Sequence, residues 1–335
     1  MTPCGMTTTI HRLTTGKVSD PIAEALESFE KEFHYPLGKG RSFSISHSPD
    51  YPLFYASMSE NSFVLAAERK GVILGTLGAA IKPVRCPDGV ARTAAYLGDL
   101  KLAPSVRTGR VFWRLTNAAR EALAARCENR AYGVVMDGTS RIPSSYTGRW
   151  GVDPFHPLGR VIVFRIPVIN LMQARTAPGP SRVARVTGTR LENAFYSGAP
   201  EAFIPTGGSS SLRSRMDPIG LSLTDGSAGG IVEDTRRGKR LFDDGSSEML
   251  SAHLSAFHWR DAESGVRLIR EALTDCGRLG FSHLFTAVPA SSLPAFQHAM
   301  AKAGWREVIE APASIFGCGF DASDTSDWRV NTAEI

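Results

Sequence analysis

Two arginines at the start of a predicted helix have the type and spacing to hold an anion. Arg107 and Arg110 flank Thr108 and Gly109 in a short turn, and the helical pattern RVFWRLTNAAREALAAR begins at Arg110. The first backbone N–H groups of a helix have no intrahelical partner, and the helix dipole adds about half a positive charge there. Cations are unfavourable at that end unless an anion is present, so the turn predicts a phosphate site. The alternative is an ordinary solvated helix start.

A predicted strand meander positions this turn. Residues 62–84 have apolar and β-branched runs on both sides of a polar turn at 69–71, which is typical of two antiparallel strands. CPDG at 86–89 marks the next turn, and residues 91–102 form a third strand. The other elements predicted in the first half are a strand at 8–16, a helix at 20–33 with Asp20 as N-cap, a buried strand in 129–140 and a closing strand in 150–168.

The length of 335 residues predicts two domains. We expect the first domain at 1–170, a Pro-, Gly- and Arg-rich linker at 171–182, and a second domain at 183–335 that repeats the first in weaker form. The elements predicted in that half are three successive strands within 219–226, 227–245 and 248–259, helices in 264–280 and 293–308, and strands at 283–289 and 313–320.

This order of elements, together with the turn, resembles the GNAT superfamily of acyl-CoA-dependent N-acyltransferases. The diphosphate loop of that family reads Arg or Gln, two variable residues, Gly, one variable residue, and then Gly or Ala. This chain keeps Arg107 and one glycine, but Gly109 stands one place early and Phe112 replaces the last small residue.

A second similarity lies before the last predicted strand. GNAT proteins often carry a Tyr four residues before a Gly that is followed by an aromatic and a charged residue. Gly304, Trp305 and Arg306 match the end of this pattern, and Met300 occupies the position of the Tyr. In the first half the counterpart is Trp150, Gly151 and Val152, with Tyr146 displaced by one position.

The resemblance implies an α/β fold of two GNAT-like domains, each a mostly antiparallel mixed sheet flanked by helices. It implies that acetyl-CoA or another acyl-CoA is the co-substrate, that a small-molecule or peptide amine is the acceptor, and that no metal takes part. Coenzyme A would contact the backbone of the third strand and the turn after it, which comprise Leu100, Lys101, Leu102, Arg107, Thr108, Gly109, Arg110, Val111 and Phe112.

Direct acyl transfer needs a group that accepts a proton from the ammonium and one that supplies a proton to the thiolate. Asp99 is the first candidate base, because in this fold its strand splays beside the acyl group, and Glu68 is the second. Tyr146 is the candidate acid. Each has a structural alternative, namely a loop brace for Asp99, an exposed strand carboxylate for Glu68 and a packed phenol for Tyr146. Because the family's Tyr is displaced, a non-catalytic acyl-CoA-binding or scaffold protein is the alternative function.

Two further regions carry expectations about ligands. Phe33–Tyr55 is predicted to be a long irregular segment rich in aromatic residues, and it falls where GNAT proteins form the acceptor side of the cleft, with Asp50 available to hold an amine. Its alternative role is to cover the core. In the second half, Asp261 and Glu263 place negative charge where a diphosphate would lie, so we expect no coenzyme A there. That half would complete the acceptor groove or stabilise the first, unless it is a separate α/β domain.

Composition restricts the class of protein. A net charge of +5 and a pI near 9.0 suit an anionic ligand, but the basic residues are dispersed, and the single basic run, RRGKR at 236–240, predicts a solvated hairpin turn rather than a nucleic-acid site. No segment has the ~18 apolar residues of a membrane span, so a cytoplasmic protein is expected. The five cysteines have no paired spacing and are expected to be small buried residues without a metal or disulfide, namely Cys4, Cys86, Cys127, Cys276 and Cys318. The sequence gives no oligomeric state.

Overall fold

The computed structural model of the chain describes residues 7–38, 40–47, 49–106, 109–124, 126–127, 129–149, 151–170, 183–187, 191, 194–195 and 201–335. The predicted linker at 171–182 and the predicted site residues Arg107 and Thr108 lie outside the described residues, as do Trp150 and Cys4.

The described chain contains helices, strands and short turns, each kind numbered in chain order. The helices are α1 Asp20–Glu30, α2 Tyr51–Ala56, α3 Arg110–Leu123, α4 Ser210–Arg213, α5 Ala262–Arg278 and α6 Leu293–Lys302. The strands are β1 Thr9–Leu13, β2 Tyr35–Pro36, β3 Ser42–Ser46, β4 Ser62–Arg69, β5 Val72–Arg85, β6 Ala91–Leu102, β7 Ala131–Met136, β8 His156–Pro167, β9 Val183–Arg185, β10 Ile204–Pro205, β11 Ile219–Leu223, β12 Ala228–Glu233, β13 Arg240–Asp243, β14 Ser251–Trp259, β15 His283–Pro289 and β16 Ile309–Cys318. Short 3-10 turns occur at Pro143–Ser145, Thr235–Arg237, Ala290–Ser292 and Thr332–Glu334.

Thirteen of the described strands form one large mixed sheet. Its order is β1-β4-β5-β6-β7-β16-β8-β15-β14-β12-β11-β9, and β10 pairs with β5 beside this path. Among these strands the parallel pairs are β6 with β7 and β14 with β15, and the others are antiparallel. Helices flank the sheet, so the predicted α/β fold with a mostly antiparallel mixed sheet is confirmed.

The closing strands of the two halves are exchanged at the centre of the sheet. β16, the last strand of the chain, pairs with β7 and β8, and β8 pairs in turn with β15. Each half therefore completes its sheet with a strand from the other. One hydrophobic core packs mainly around the first half and another around α5 and α6.

Local sequence signals set the elements around the cleft. β4 and β5 are joined by Lys70 and Gly71, both with positive φ (56° and 78°), as a type I′ hairpin turn requires. α3 begins at Arg110, as predicted, and buries Val111, Phe112 and Leu115 on its inner face. The first helix begins one residue earlier than expected, because Ser19 is its N-cap and Asp20 its first residue.

The structure corrects two predictions in the second half. The single strand expected in 227–245 is two strands, and β13 leaves the large sheet to pair with β3 in a separate three-stranded sheet with β2. The basic run between them is not a solvated turn, because Lys239 is buried and only Arg237 of the run is fully exposed. Of the cysteines, Cys318 is partly exposed, whereas Cys86, Cys127 and Cys276 are buried as expected.

Candidate functional site

A cleft opens where β6 and β7 separate. The two strands pair in parallel at Ala95–Ala131 and Tyr96–Tyr132. Beyond these pairs β7 stays with β16, and β6 stays with β5. The strands therefore splay, and the edge of β6 that faces β7 is left beside the cleft.

A bulge in β6 marks the start of this divergence. The β5–β6 register shifts between Thr76, which pairs with Lys101, and Gly78, which pairs with Gly98, so β6 carries one extra residue. Asp99 lies in the bulge with a left-handed φ of 51°. The Thr76 hydroxyl donates to the Asp99 carbonyl at 2.8 Å. The bulge thus aims the Asp99 side chain at the base of the cleft.

The cleft contains a cavity of about 330 Å³. One end lies between β6, β7 and α3, and the other end is walled by residues of the segment Phe33–Tyr55. Among the lining residues of that segment are Tyr35, Phe43, Ile45, His47, Phe54 and Tyr55. This segment carries β2, β3 and α2 rather than an irregular loop. The residue expected to hold an amine, Asp50, is not in the described lining, and its carboxylate accepts from the backbone of Gly16.

The start of α3 lies at one side of the cavity. Gly109 is its N-cap and has no side-chain cap hydrogen bond. Arg110, the first helical residue, is exposed, and Phe112 lines the cavity. The Phe112 ring meets Tyr146 edge-on with the ring centroids 5.7 Å apart.

A buried charged cluster forms the floor of the cleft. Nδ1 of His47 is 2.5 Å from Oε1 of Glu30, and its Nε2 is 3.6 Å from Oδ2 of Asp99. Nζ of Lys101 is 2.9 Å from Oδ1 of Asp99 and 3.5 Å from Oε1 of Glu30. One imidazole and one ammonium therefore both bridge the same two carboxylates.

Three tyrosines surround the cluster. The Tyr55 hydroxyl donates to Asp99 at 2.8 Å, and Lys101 donates to the Tyr51 hydroxyl at 3.3 Å. The His47 ring stacks on Tyr51 with the centroids 4.4 Å apart. Burial raises the pKa of Tyr35 to about 12, so this phenol stays neutral at physiological pH.

The charge state of Asp99 bears on its predicted role. Burial by itself would raise the pKa of Asp99, but the ammonium of Lys101 and the hydrogen bond from Tyr55 hold that pKa well below its usual range. Burial would lower the pKa of Lys101, but Asp99 and its other neighbours keep that pKa well above its usual value. Asp99 is thus an ionised partner of a charged lysine, which makes it a weak proton acceptor.

Lys239 approaches the cavity from the second half. Its side chain is buried, and its Nζ lies 5.1 Å from the centroid of Phe54. The ammonium donates to the backbone oxygens of Thr332, at 3.3 Å, and Ile335. Burial lowers the pKa of Lys239 to about 7.

A buried ion-pair network holds the segment that ends at Ile335 against the cavity. Glu334 accepts from Lys82 at 2.5 Å and from Arg213 at 3.0 Å. Arg213 also binds Glu233 through two nitrogens, at 2.7 and 2.9 Å. Every member is buried, so the network fixes the position of Ile335, which lines the cavity.

The predicted site residues divide into two groups. Of those that the structure describes, Asp99, Leu100, Lys101, Phe112 and Tyr146 line the cavity, whereas Glu68, Leu102, Gly109, Arg110 and Val111 do not. Burial raises the pKa of Tyr146 to about 12. Glu68 lies on β4, where it is 3.4 Å from Nε2 of His11 and accepts from the backbone of Gly71.

Sequence reasoning missed Glu30, His47 and Lys239. Glu30 belongs to the polar pattern of an amphipathic helix, and Lys239 belongs to a basic run that normally indicates a surface. His47 was within the segment assigned to the acceptor side, but nothing in its neighbours indicates a carboxylate partner. Glu30 and Lys101 are far apart in the sequence, and only the packing of α1 against β3 and β5 brings them together.

The start of α5 differs from that of α3. Asp261 accepts a hydrogen bond from the backbone of Ser264 at 2.8 Å, and the Ser264 hydroxyl faces back to Asp261, which forms a capping box. The helix end thus already has its own negative charge.

No protein-family model matches the sequence, and no curated protein is significantly similar to it. Solved structures do match over nearly the whole chain. Saccharomyces cerevisiae N-myristoyltransferase with bound myristoyl-CoA has 8% identity and a TM-score of 0.57, over 97% of this chain and 87% of that one. A GCN5-related N-acetyltransferase from Anabaena variabilis has 11% identity and a TM-score of 0.51, over 92% and 72%. The chain therefore has the same fold as these acyltransferases, as the resemblance implied.

Among the described residues, the histidine, cysteine and acidic side chains form no group able to hold a metal ion. No helix of the described chain is long and apolar enough to cross a membrane.

Proposed function

We propose that this protein is an N-acyltransferase that moves an acyl group from acyl-CoA to an amine, with acetyl-CoA as the first donor to test. The observation that carries the proposal is the divergence of β6 and β7 beside the start of α3, with the cavity between them. The neighbouring structures with this fold are an N-myristoyltransferase with bound myristoyl-CoA and an N-acetyltransferase.

The free edge of β6 suits the pantetheine arm of coenzyme A. Beyond Tyr96, β6 pairs with β5 but not with β7. The amide groups of pantetheine can form strand-like hydrogen bonds with the backbone at Leu100 and Lys101, as an added peptide strand does. The diphosphate then lies near Gly109 and Arg110, where the helix dipole and the uncapped N-terminus favour an anion.

The opposite end of the cavity suits an amine acceptor. With a neutral imidazole, the carboxylates of Glu30 and Asp99 and the ammonium of Lys101 carry one net negative charge. A buried charge of this kind is stabilised by a cation, and the ammonium of a small molecule or a peptide supplies one. The aromatic residues around it, among them Tyr35 and Phe43, provide an apolar wall for the rest of the acceptor.

One observation favours a second candidate function, a non-catalytic acyl-CoA-binding protein. Asp99, the first candidate base, is the ionised partner of a charged Lys101 and therefore a weak proton acceptor. Release of free thiol from acetyl-CoA and a longer acyl-CoA, measured with a panel of amines, separates the two functions. Amine-dependent release supports the transferase, and coenzyme A binding without release under any amine supports the binding protein.

A further inference from the structure

Glu30 and His47 form a buried carboxylate–imidazole pair beside the cavity, and neither residue has a catalytic role in the function proposed so far. We propose that His47, oriented by Glu30, is the base that takes the proton from the acceptor ammonium. The inference rests on the proposed acyl transfer and assigns its proton acceptor.

Glu30 fixes the orientation of the imidazole from two directions. Its Oε2 accepts the backbone N–H of His47 at 2.9 Å, and its Oε1 is 2.5 Å from Nδ1 of the ring. A carboxylate only accepts hydrogen bonds, so Nδ1 must carry the ring proton. In the neutral ring the lone pair is then on Nε2.

That lone pair has no partner among the described residues. Nε2 of His47 is buried and makes no hydrogen bond, although the side chain lines the cavity. The nearest polar group, Oδ2 of Asp99 at 3.6 Å, is itself an acceptor. A buried acceptor without a partner is destabilising, and a ligand that donates a hydrogen bond to it recovers that loss.

The groups around His47 stabilise the proton once it has moved. Glu30 of α1 and Asp99 of β6 face the ring from opposite sides, and Tyr51 of α2 stacks on it. Lys101 of β6 offsets one of the two carboxylates, and Lys239 approaches the same cavity. An imidazolium therefore brings the cluster of Glu30, His47, Asp99 and Lys101 to zero net charge.

The reaction balances with His47 in this role. The acceptor ammonium gives one proton to Nε2 of His47, and the nitrogen lone pair then attacks the thioester carbonyl carbon. The C–N bond forms as the C–S bond breaks, and the thiolate takes the second proton from the nitrogen. The products are the amide, coenzyme A as the thiol, and one proton that His47 returns to solvent.

The test compares two nucleophiles on the full chain with acetyl-CoA. n-Butylamine is protonated at neutral pH and needs a base, whereas hydroxylamine is already unprotonated. His47→Gln is expected to lower turnover of n-butylamine by about 10²–10⁴-fold, the usual contribution of a general base, and that of hydroxylamine by less than tenfold. Acetyl-CoA affinity is expected to stay unchanged. Equal losses with both nucleophiles, or no loss, would overturn the assignment.

Two further variants test whether Glu30 acts by orienting His47 or only by stabilising the fold. Glu30→Gln keeps the shape but no longer requires the proton on Nδ1, so kcat for n-butylamine is expected to fall and the KM for acetyl-CoA to stay the same. His11→Gln removes the other Glu–His contact, that with Glu68 outside the cavity, and is expected to act as wild type.

Nitrogen-15 spectroscopy of the histidine rings tests the geometry without any variant. In the neutral ring of His47 the proton is expected on Nδ1, and a neutral ring with its proton on Nε2 instead would overturn the proposal. If the wild-type protein acylates both nucleophiles and the His47→Gln variant is equally active, the role of His47 as the base is wrong but the proposed acyl transfer stands. Wild-type protein that acylates neither disproves the proposed function and this role with it.

Discussion

Asp99 and Ala256 are equivalent bulge residues in the two halves of the large sheet. Both have left-handed φ angles, 51° and 48°, and each lies just beyond the last parallel pair of its strand. Those pairs are Tyr96–Tyr132 in one half and His253–Phe285 in the other. Beside Asp99 the strands enclose a cavity. Beside Ala256 the chain fills the gap itself, because Asn331 accepts the Ala256 backbone N–H at 2.9 Å and the turn Thr332–Glu334 contacts both β14 and β15.

Asn331 is expected to matter for stability and not for ligand binding. Asn331→Ala leaves the Ala256 N–H without its acceptor, so the free energy of unfolding should fall by about 1–3 kcal/mol in denaturant titrations. Asn331→Asp retains an oxygen acceptor and should lose less. A second acyl-CoA site in the alanine variant would contradict the view that the chain fills this cleft for packing alone.

Charge reversal at the start of α3 tests the diphosphate site. Arg107→Glu combined with Arg110→Glu should weaken acyl-CoA binding by more than tenfold, about 1.4 kcal/mol, because it places negative charge where the diphosphate would lie. Arg126→Glu, an exposed single reversal beyond the other end of α3, is the control and should leave affinity nearly unchanged. The control changes the net charge by half as much as the double reversal, so a control that loses half as much binding free energy as the double reversal would mean that only the overall charge matters.

Glu334 is expected to be essential to the fold around the cavity. Glu334→Gln leaves Lys82 and Arg213 buried without their shared carboxylate, at a cost of about 3–5 kcal/mol. Asp88→Asn removes an exposed carboxylate that pairs with Arg92 and should change stability little. Similar unfolding curves for both variants would show that the buried network is not stabilising.

Stability is expected to fall in mild acid partly because of His283. Burial and the neighbouring arginines Arg165 and Arg41 lower the pKa of His283 to about 4. The unfolded ring titrates near 6.5, so the unfolded state takes up a proton first as the pH falls. The stability that the neutral His283 ring contributes is fully present above pH ~6.5 and is lost as the pH falls toward ~4. His283→Gln should therefore lose less stability than wild type between pH 7.5 and 5, and an identical slope would exclude this cause.

The elements that depend on a short stretch of sequence can be predicted from the sequence alone. The Lys70–Gly71 turn, the strand at 91–102 and the helix that begins at Arg110 each depend on a short stretch, and each is confirmed. The exchange of β8 and β16 could not be predicted, since both are apolar strands that fit either half. The boundaries at 170 and 183 stay predictions.

The candidate site was predicted only where it lies on one strand. The sequence indicates Asp99 and Lys101 because their strand is the one expected to diverge from its neighbour. For Lys101, however, it predicts a role of the backbone and not of the buried ammonium. Glu30 and Lys239 reach the cavity through packing between distant segments, which no local pattern encodes. Glu68 was chosen for its strand, and the structure places it against His11 instead.

Every role proposed above requires one acyl-CoA site between β6 and β7. Calorimetric titration of the full chain with acetyl-CoA and with a longer acyl-CoA measures the number of such sites. One site per chain is expected, and the double reversal at Arg107 and Arg110 should weaken binding to it. No detectable binding at millimolar ligand, or two equal sites per chain, would contradict this expectation.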